Sequence, residues 1–327
     1  MSDLPTQLTI CEEGPREGFQ IEPGPIASED KVALINALSR TGVPEMQVCS
    51  FVSPRLVPGW ADADTVVNQM QPDPAVKCIA LWFNQKGLDR AIQHRDKLHL
   101  TGSIHLAASE AFSISNLNRD RASNLAAMRQ QTQHHLEAGV PVNKLTIMAA
   151  FGCNFAGNIT DAQVLSCIQD GIDIAADSAT DITDVALCDT MGWANPSLID
   201  SVVGKVRSRW PDLTIHLHLH DTRGLGIANA QAGLRLGVTH FDTTVGGLGG
   251  CPFAAHKGAP GNIATEELVM LAEEQGIATG IDLDALIEVG HMAENIVGHP
   301  LPSAALRGGS LSSFRSRASK TNHQLQH

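Results

Sequence analysis

Ile215-His216-Leu217-His218-Leu219-His220-Asp221-Thr222-Arg223-Gly224 alternates polar and apolar residues with a period of two, the pattern of a β-strand. Side chains two residues apart share one face of a strand, so His218 and His220 project together. Asp221-Thr222-Arg223-Gly224 turns the chain just beyond them. Two imidazoles side by side at the carboxyl end of a strand suit a divalent metal ion. The alternative is an ordinary strand whose histidines bond to neighbours, and three alternating histidines ahead of Asp-Thr-Arg-Gly weigh toward the metal.

Outward from this stretch, further short apolar runs read as strands: Leu8–Glu12, Glu45–Cys49, Val76–Leu81, His99–Leu106, Lys144–Ala149, Asp184–Cys188 and His240–Val245, with Thr214–Leu219 completing eight. Amphipathic segments lie between them, among them Ser28–Thr41, Asp120–Ala138, Asp161–Ala176, Pro196–Arg209 and Gly226–Leu236. Ser28 with two acidic residues after it reads as a helix N-cap and Gly42 as a stop; Thr160-Asp161 and Asn195-Pro196 read as two more starts. Eight strand–helix units predict an α/β fold, a TIM (β/α)8 barrel. A doubly wound dinucleotide fold is unsupported, because no Gly-x-Gly-x-x-Gly follows the first strand. Residues 1–300 are expected to form the barrel and additional C-terminal helices, and residues 301–327 a frayed, flexible tail. In such barrels the active site sits at the carboxyl ends of the strands. The unusual residues fall there: Glu12 to Gln20, Gln47 to Phe51, Cys188 to Gly192, the histidines, and Gly246 to Phe253.

The composition, 43% hydrophobic and 18% charged over 327 residues, is that of a globular chain. A formal net charge of -12 argues against nucleic acid as a partner. No apolar run is long enough to span a bilayer, and the first residues lack the basic and apolar regions of a signal peptide. The seven cysteines have no CxxC spacing, which points to reduced thiols and a cytoplasmic protein.

Taken together, several segments resemble the hydroxymethylglutaryl-CoA lyase family, metal-dependent TIM-barrel acyl-CoA lyases of the DRE-TIM metallolyase superfamily. They are Gly14-Pro15-Arg16-Glu17-Gly18-Phe19-Gln20, Ser50-Phe51-Val52-Ser53-Pro54, Ala108-Ser109-Glu110-Ala111-Phe112, Asp189-Thr190-Met191-Gly192, His218-Leu219-His220-Asp221-Thr222, Gly247-Leu248-Gly249-Gly250-Cys251-Pro252-Phe253 and Gly261-Asn262-Ile263-Ala264-Thr265-Glu266-Glu267. The resemblance spans roughly residues 8 to 295. It implies a lyase that cleaves the C2–C3 bond of a 3-hydroxyacyl-CoA, 3-hydroxy-3-methylglutaryl-CoA or a close analogue, to acetyl-CoA and a keto acid. The implied metal ligands are Glu17, His218, His220 and Asn262, a mixed N/O set for Mg²⁺ or Mn²⁺ that Zn²⁺ or Co²⁺ could also occupy. Read without the family, Asn262 is a helix cap. Resemblance assigns Arg16 to the enolate oxygen, acid or base duty to His218, proton delivery to Cys251 and orientation of the reacting groups to Asp189. Gln20, Ser50, Ser109, Asn116, Arg223, Gly249 and Gly250 are expected at the substrate, with the CoA portion near Ser109, Asn116 and Arg119. The glycines from Gly246 to Gly250 are expected to act as a flap, with a phosphate cradle as the alternative. The expected partner is an acyl-CoA substrate, with a homodimer left open.

The match departs in four places. Glu17 stands where the family usually has Asp, one methylene shorter. Gln47 stands where it has a catalytic Glu on strand two; an amide keeps the shape but cannot ionise, so one negative charge is expected to be missing near Arg16 and the metal. Arg223 replaces an aromatic residue and could hold a second carboxylate, or serve as a surface salt-bridge residue. The stretch from Cys251 to Asn262, with His256 and Lys257, is about two residues longer than the usual pattern and could reshape the flap. These departures leave three competing readings: a lyase for another dicarboxylic 3-hydroxyacyl-CoA such as citramalyl-CoA, a Claisen-condensing acyl transferase of the same superfamily, and a catalytically weakened metal- or CoA-binding homologue.

Overall fold

The computed structural model describes residues 4–249 and 261–315. Eight parallel strands form one curled sheet: β1 (Thr9–Glu12), β2 (Glu45–Ser50), β3 (Lys77–Leu81), β4 (Gly102–Ala107), β5 (Val142–Met148), β6 (Asp184–Cys188), β7 (Thr214–His218) and β8 (His240–Thr243). Helices α1 (Ser28–Leu38), α2 (Ala63–Gln69), α3 (Gln85–Ile92), α4 (Glu110–Leu117), α5 (Arg121–Glu137), α6 (Asp161–Asp177), α7 (Pro196–Arg209), α8 (Gly226–Arg235) and α9 (Thr265–Glu274) follow the strands in turn. This is the expected (β/α)8 architecture. Helices α10 (Leu283–Val297) and α11 (Ala305–Gly308) come after it.

Hydrogen-bonded neighbours run β3-β2-β1-β8-β7-β6-β5-β4. The two ends of that row meet where the Cys78 carbonyl on β3 accepts the His99 N–H at 2.7 Å. This contact explains why β4 starts at Gly102 and not at His99: His99 serves β3, and the ladder to β5 begins with the Gly102 N–H on Pro141 O at 2.8 Å.

The helices pack by their apolar stripes. In α6 the buried residues are Val164, Cys167, Ile168, Gly171, Ile174 and Ala175, the i, i+3, i+4, i+7 spacing of one helical face. Its start is a complete capping box between Thr160 and Gln163. Asn195 caps α7 ahead of Pro196, as expected. At α1 the expectation fails by one residue. Ala27 is the cap position, and the Ser28 hydroxyl instead donates to Asp62 Oδ2 at 2.6 Å, because a carboxylate from the next unit is within reach. Gly42 ends this unit with φ +90°, the left-handed conformation that glycine adopts without a steric cost.

Residues 301–315, read from sequence as the start of a tail, pack onto the barrel. Leu301 and Leu306 are buried, and Arg315 pairs with Glu274 at 2.6 Å. A composition rich in Ser, Gly and Arg hid these anchors, which depend on α9 and α10 being nearby.

Candidate active site

The carboxyl ends of the strands carry the polar residues, and the segment just after β1 supplies three of them, Glu13, Arg16 and Glu17. Beyond β1 the chain makes a tight turn in which the N–H groups of Arg16 and Glu17 both bond to the Glu13 carbonyl, at 3.1 and 2.8 Å. This turn throws the Arg16 and Glu17 side chains toward the barrel axis. The indole of Trp60, which is fully buried, fixes the turn from behind by donating to the Arg16 carbonyl at 3.0 Å. Trp60 in turn lies under the Lys31 ammonium, 4.6 Å from the ring centroid. Neither Trp60 nor Lys31 was recognisable from sequence as a support of the site, since Lys31 lies within the amphipathic segment Ser28–Thr41 and no motif includes Trp60.

Glu17, His218 and His220 gather as a group whose ligand atoms lie within 4.8 Å of one another. Glu17 Oε1 is 3.6 Å from His218 Nε2, 3.5 Å from His220 Nε2 and 3.0 Å from the Asn262 amide nitrogen. Asn262 reaches it through a β-bridge to His220. The four expected ligands therefore converge although up to 245 residues separate them. The His220 Nδ1 donates to the Asp189 carbonyl at 2.7 Å, which assigns a proton there and leaves Nε2 as the nitrogen that faces Glu17. His216, the third alternating histidine, is not part of the group. It pairs with Asp184 at 2.9 Å and packs on His240 at a ring separation of 4.5 Å.

Whether these residues fit a cation is tested by their unspent valences. Among the described residues, eight buried side-chain polar atoms lack a hydrogen-bond partner. Four of them belong to this site: Arg16 Nε, Gln47 Oε1, Asp189 Oδ2 and Asn262 Oδ1. A buried, unpaired polar atom costs about 1–3 kcal/mol, so its concentration in one place marks groups kept for a ligand. The Asn262 amide spends its nitrogen on Glu17 and on the Leu248 carbonyl and keeps its oxygen, the atom that binds metal, unpaired. The donor set fits a hard or borderline divalent cation.

The charge distribution differs from the sequence expectation at one point. Gln47 does stand on β2 beside the site, but the carboxyl group it lacks is supplied there by Glu13. Glu13 Oε2 accepts from Arg16 Nη2 at 2.6 Å, and Glu13 Oε1 accepts from Gln47 Nε2 at 3.0 Å. Arg16 also pairs with Glu17, Nη1 to Oε2, at 2.9 Å. Asp242 of β8 was also missed; it lies 3.3 Å from His218 Nδ1. Burial raises the Glu13 carboxyl to about 7 against the pull of Arg16. Burial opposes the ionisation of Glu17 too, yet Arg16 and His218 outweigh it and hold that carboxyl well below the ordinary range. His218 is pulled the other way: burial disfavours its charge, but Glu17 and Asp242 raise it well above the usual imidazole value. Burial lifts Asp189 to about 6.

The remaining candidates are placed as follows. Asp189 Oδ1 accepts the N–H groups of Trp193 and Ala194, at 2.7 and 3.0 Å, so its carboxylate is held rigidly with Oδ2 left over. Ser50 is buried and accepts the Val52 N–H at 3.3 Å. Ser109 is buried as the cap of α4 and donates to Cys153 Sγ at 3.0 Å, which gives it a structural duty. Asn116, in the last turn of α4, and Arg119, just after it, are exposed, and Gln20 is half-buried. The Arg223 guanidinium donates to the carbonyls of Met191 and Gly192, at 2.9 and 2.6 Å, so it braces the loop after β6.

Gly249 has φ +82°, and a Cβ there would come within 2.9 Å of the Glu17 carbonyl oxygen. Glycine is required because the loop after β8 lies directly on the Glu17 turn. The phosphate-cradle alternative fails for Gly246, Gly247 and Leu248. Their N–H groups are already spent on Glu266, the Thr244 carbonyl and the Val245 carbonyl. Gly250, Cys251, His256 and Lys257 lie outside the described residues.

A family model described as HMGL-like matches residues 7–293. The chain is 35% identical over 303 residues to a hydroxymethylglutaryl-CoA lyase of Bacillus subtilis, covering 93% of this chain and 97% of that one. It is 34% identical over 316 residues to an (R)-citramalyl-CoA lyase of Chloroflexus aurantiacus, covering 92% and 95%. A solved structure of an HMG-CoA lyase from Acinetobacter baumannii, in complex with coenzyme A and 3-methylmalate, superposes with a TM-score of 0.84 at 34% identity, over 95% of this chain and 98% of that one.

Proposed function

Because the chain belongs to the HMGL-like family, whose relatives are carbon–carbon lyases, we propose that the mouth of its barrel cleaves the C2–C3 bond of a 3-hydroxyacyl-CoA. The observation that carries this reading is the convergence of Glu17, His218, His220 and the unpaired Asn262 oxygen beside Arg16. In the cleavage the 3-hydroxyl loses its proton, the C2–C3 bond breaks, C3 becomes a ketone and the electron pair passes to the thioester as an enolate. The enolate is then protonated at C2 to give acetyl-CoA.

A divalent cation, Mg²⁺ or Mn²⁺ by the mixed N/O donor set, would be held by Glu17, His218, His220 and Asn262 and would supply Lewis acidity toward the 3-hydroxyl. Arg16 keeps its Nε–H unspent while Glu13 and Glu17 hold its other nitrogens, so the guanidinium faces the developing enolate oxygen in one orientation. His218 presents Nε2 toward Glu17 and Nδ1 toward Asp242, so a proton taken up by its ring is stabilised by a buried carboxylate. Asp189 aims its unpaired oxygen at the reacting groups from a rigid mount. Cys251 is the group assigned to protonate C2. The CoA portion crosses the mouth over the exposed Asn116 and Arg119.

Two substrates are favoured, because relatives named for hydroxymethylglutaryl-CoA and for (R)-citramalyl-CoA are nearly equal in identity. Both carry a 3-hydroxyl, a 3-methyl group and a distal carboxylate, and they differ by one methylene. The test is acetyl-CoA release from each, with Mg²⁺ or Mn²⁺ added and after chelation. Release from at least one, lost with chelator and restored by metal, is expected; release from neither would refute the reading. The location follows less directly. No helix of the described residues is long and apolar enough to cross a membrane, and the six described cysteines are unpaired thiols, which supports a reducing cytoplasm.

A further inference from the structure

Glu12 and Glu13 are consecutive acids at the end of β1, and strand alternation sends them to opposite faces. Glu12 turns outward and is wholly spent. Its oxygens accept the N–H groups of Gly14 and Val245, at 2.7 and 2.8 Å, and the Thr265 hydroxyl at 2.5 Å. Glu13 turns inward and touches three groups of the site. These are Arg16 at 2.6 Å, Gln47 at 3.0 Å and His218 at 3.8 Å.

This bridging fixes two orientations. By holding Arg16 Nη2, Glu13 leaves the buried Nε–H as the donor without a protein partner. By accepting the Gln47 amide nitrogen, it forces the Gln47 oxygen to be the free end, and that oxygen is buried and unpaired. A neutral residue at position 13 would remove one of the two carboxylates beside Arg16, leaving Glu17, and would weaken the hold that keeps the Gln47 amide this way round.

We propose that Glu13 is the positioning carboxylate of this active site, its charge carried on β1 next to a neutral Gln47 on β2, so that Arg16 and the Gln47 oxygen are both presented to the substrate in fixed orientation. The inference rests on the lyase reading above. Glu13 acts through Arg16 and Gln47 and touches no reacting atom. Since Arg16 meets charge that develops only in the transition state, its misplacement is felt in kcat more than in KM.

The experiment is a charge relocation, read by steady-state kinetics on whichever thioester the wild-type chain cleaves. Glu13→Gln is expected to lower kcat by about 100-fold or more with KM within about 3-fold. Adding Gln47→Glu to it returns a carboxylate to the same place from the neighbouring strand, and kcat is expected to recover to within about 10-fold of wild type. Thermal melting of both variants is followed alongside, because a merely structural acid would lower stability without rescue of kcat. If Glu13→Gln does not fold, Glu13→Asp is read instead; it keeps the charge one methylene short and is expected to lower kcat at unchanged KM. Wild-type kcat in Glu13→Gln or Glu13→Asp, or a loss that Gln47→Glu does not rescue, overturns the proposal. A wild-type chain that cleaves neither thioester overturns the lyase reading and this inference with it. Cleavage by wild type matched by Glu13→Gln overturns this inference alone.

Discussion

At the scale of single residues, chemistry is decided by which valence each side chain has left. His220 spends Nδ1 on the Asp189 carbonyl, and Asn262 spends its nitrogen on Glu17. What remains, an imidazole nitrogen and an amide oxygen, is a ligand pair. His220→Ala is therefore expected to weaken Mn²⁺ binding, measured by calorimetry, by more than the roughly 10–100-fold that loss of an outer-sphere partner costs. A variant that binds Mn²⁺ like wild type would remove His220 from the ligand set. Arg16 is tested by replacement with Met, which keeps the stem and removes the charge. A fall in kcat of about 10²–10³-fold is expected, with metal affinity falling by no more than the roughly 10–100-fold of a lost outer-sphere partner, because Arg16 stabilises the enolate and pairs with Glu17 but does not itself ligate.

At the scale of elements, turns and caps place these residues. The loop after β8 lies on the Glu17 turn at Gly249, so Gly249→Ala combines an unfavourable backbone conformation with a collision against the Glu17 carbonyl. Metal affinity and activity should both fall while the far-ultraviolet circular dichroism is kept; wild-type affinity would show that the loop yields freely. Far from the mouth, the same kind of local rule has no catalytic consequence. Thr160→Ala removes the capping box of α6 and is expected to cost about 1 kcal/mol of stability, seen as a drop of a few degrees in melting temperature with kcat unchanged.

At the scale of the whole molecule, burial of acids behind the sheet couples folding to pH. Glu266 is fully buried, accepts the Gly246 N–H on both oxygens and is raised by burial to about 8; Glu12 is raised by burial to about 7. Between roughly pH 4.5 and 8 the folded chain holds protons that the unfolded chain releases, so stability falls as pH rises across that window. Glu266→Gln takes one of these protons out of the balance. The melting temperature of wild type should drop more steeply from pH 5 to 8 than that of the variant, and parallel curves would refute the linkage.

Much of this was legible in the sequence, because the relevant rules are local. Strand alternation placed His218 and His220 on one face, caps and glycines marked α6, α7 and the end of the first unit, and eight strand–helix alternations specified the barrel and hence the end where chemistry gathers. Other properties are relations between strands. Glu12 and Glu13 are the same side chain on adjacent residues, and only the curvature and register of the closed sheet decide that one binds backbone behind β8 while the other meets Arg16 and Gln47. The carboxyl group that Gln47 lacks was present one strand away. Arg223, a candidate for a substrate carboxylate when read alone, is engaged with the carbonyls of the neighbouring loop. Local sequence determined which groups exist and which way each strand points them. The tertiary structure decided which of them meet, because in a barrel the neighbours of a buried charge come from other strands, set by register and not by position in the chain.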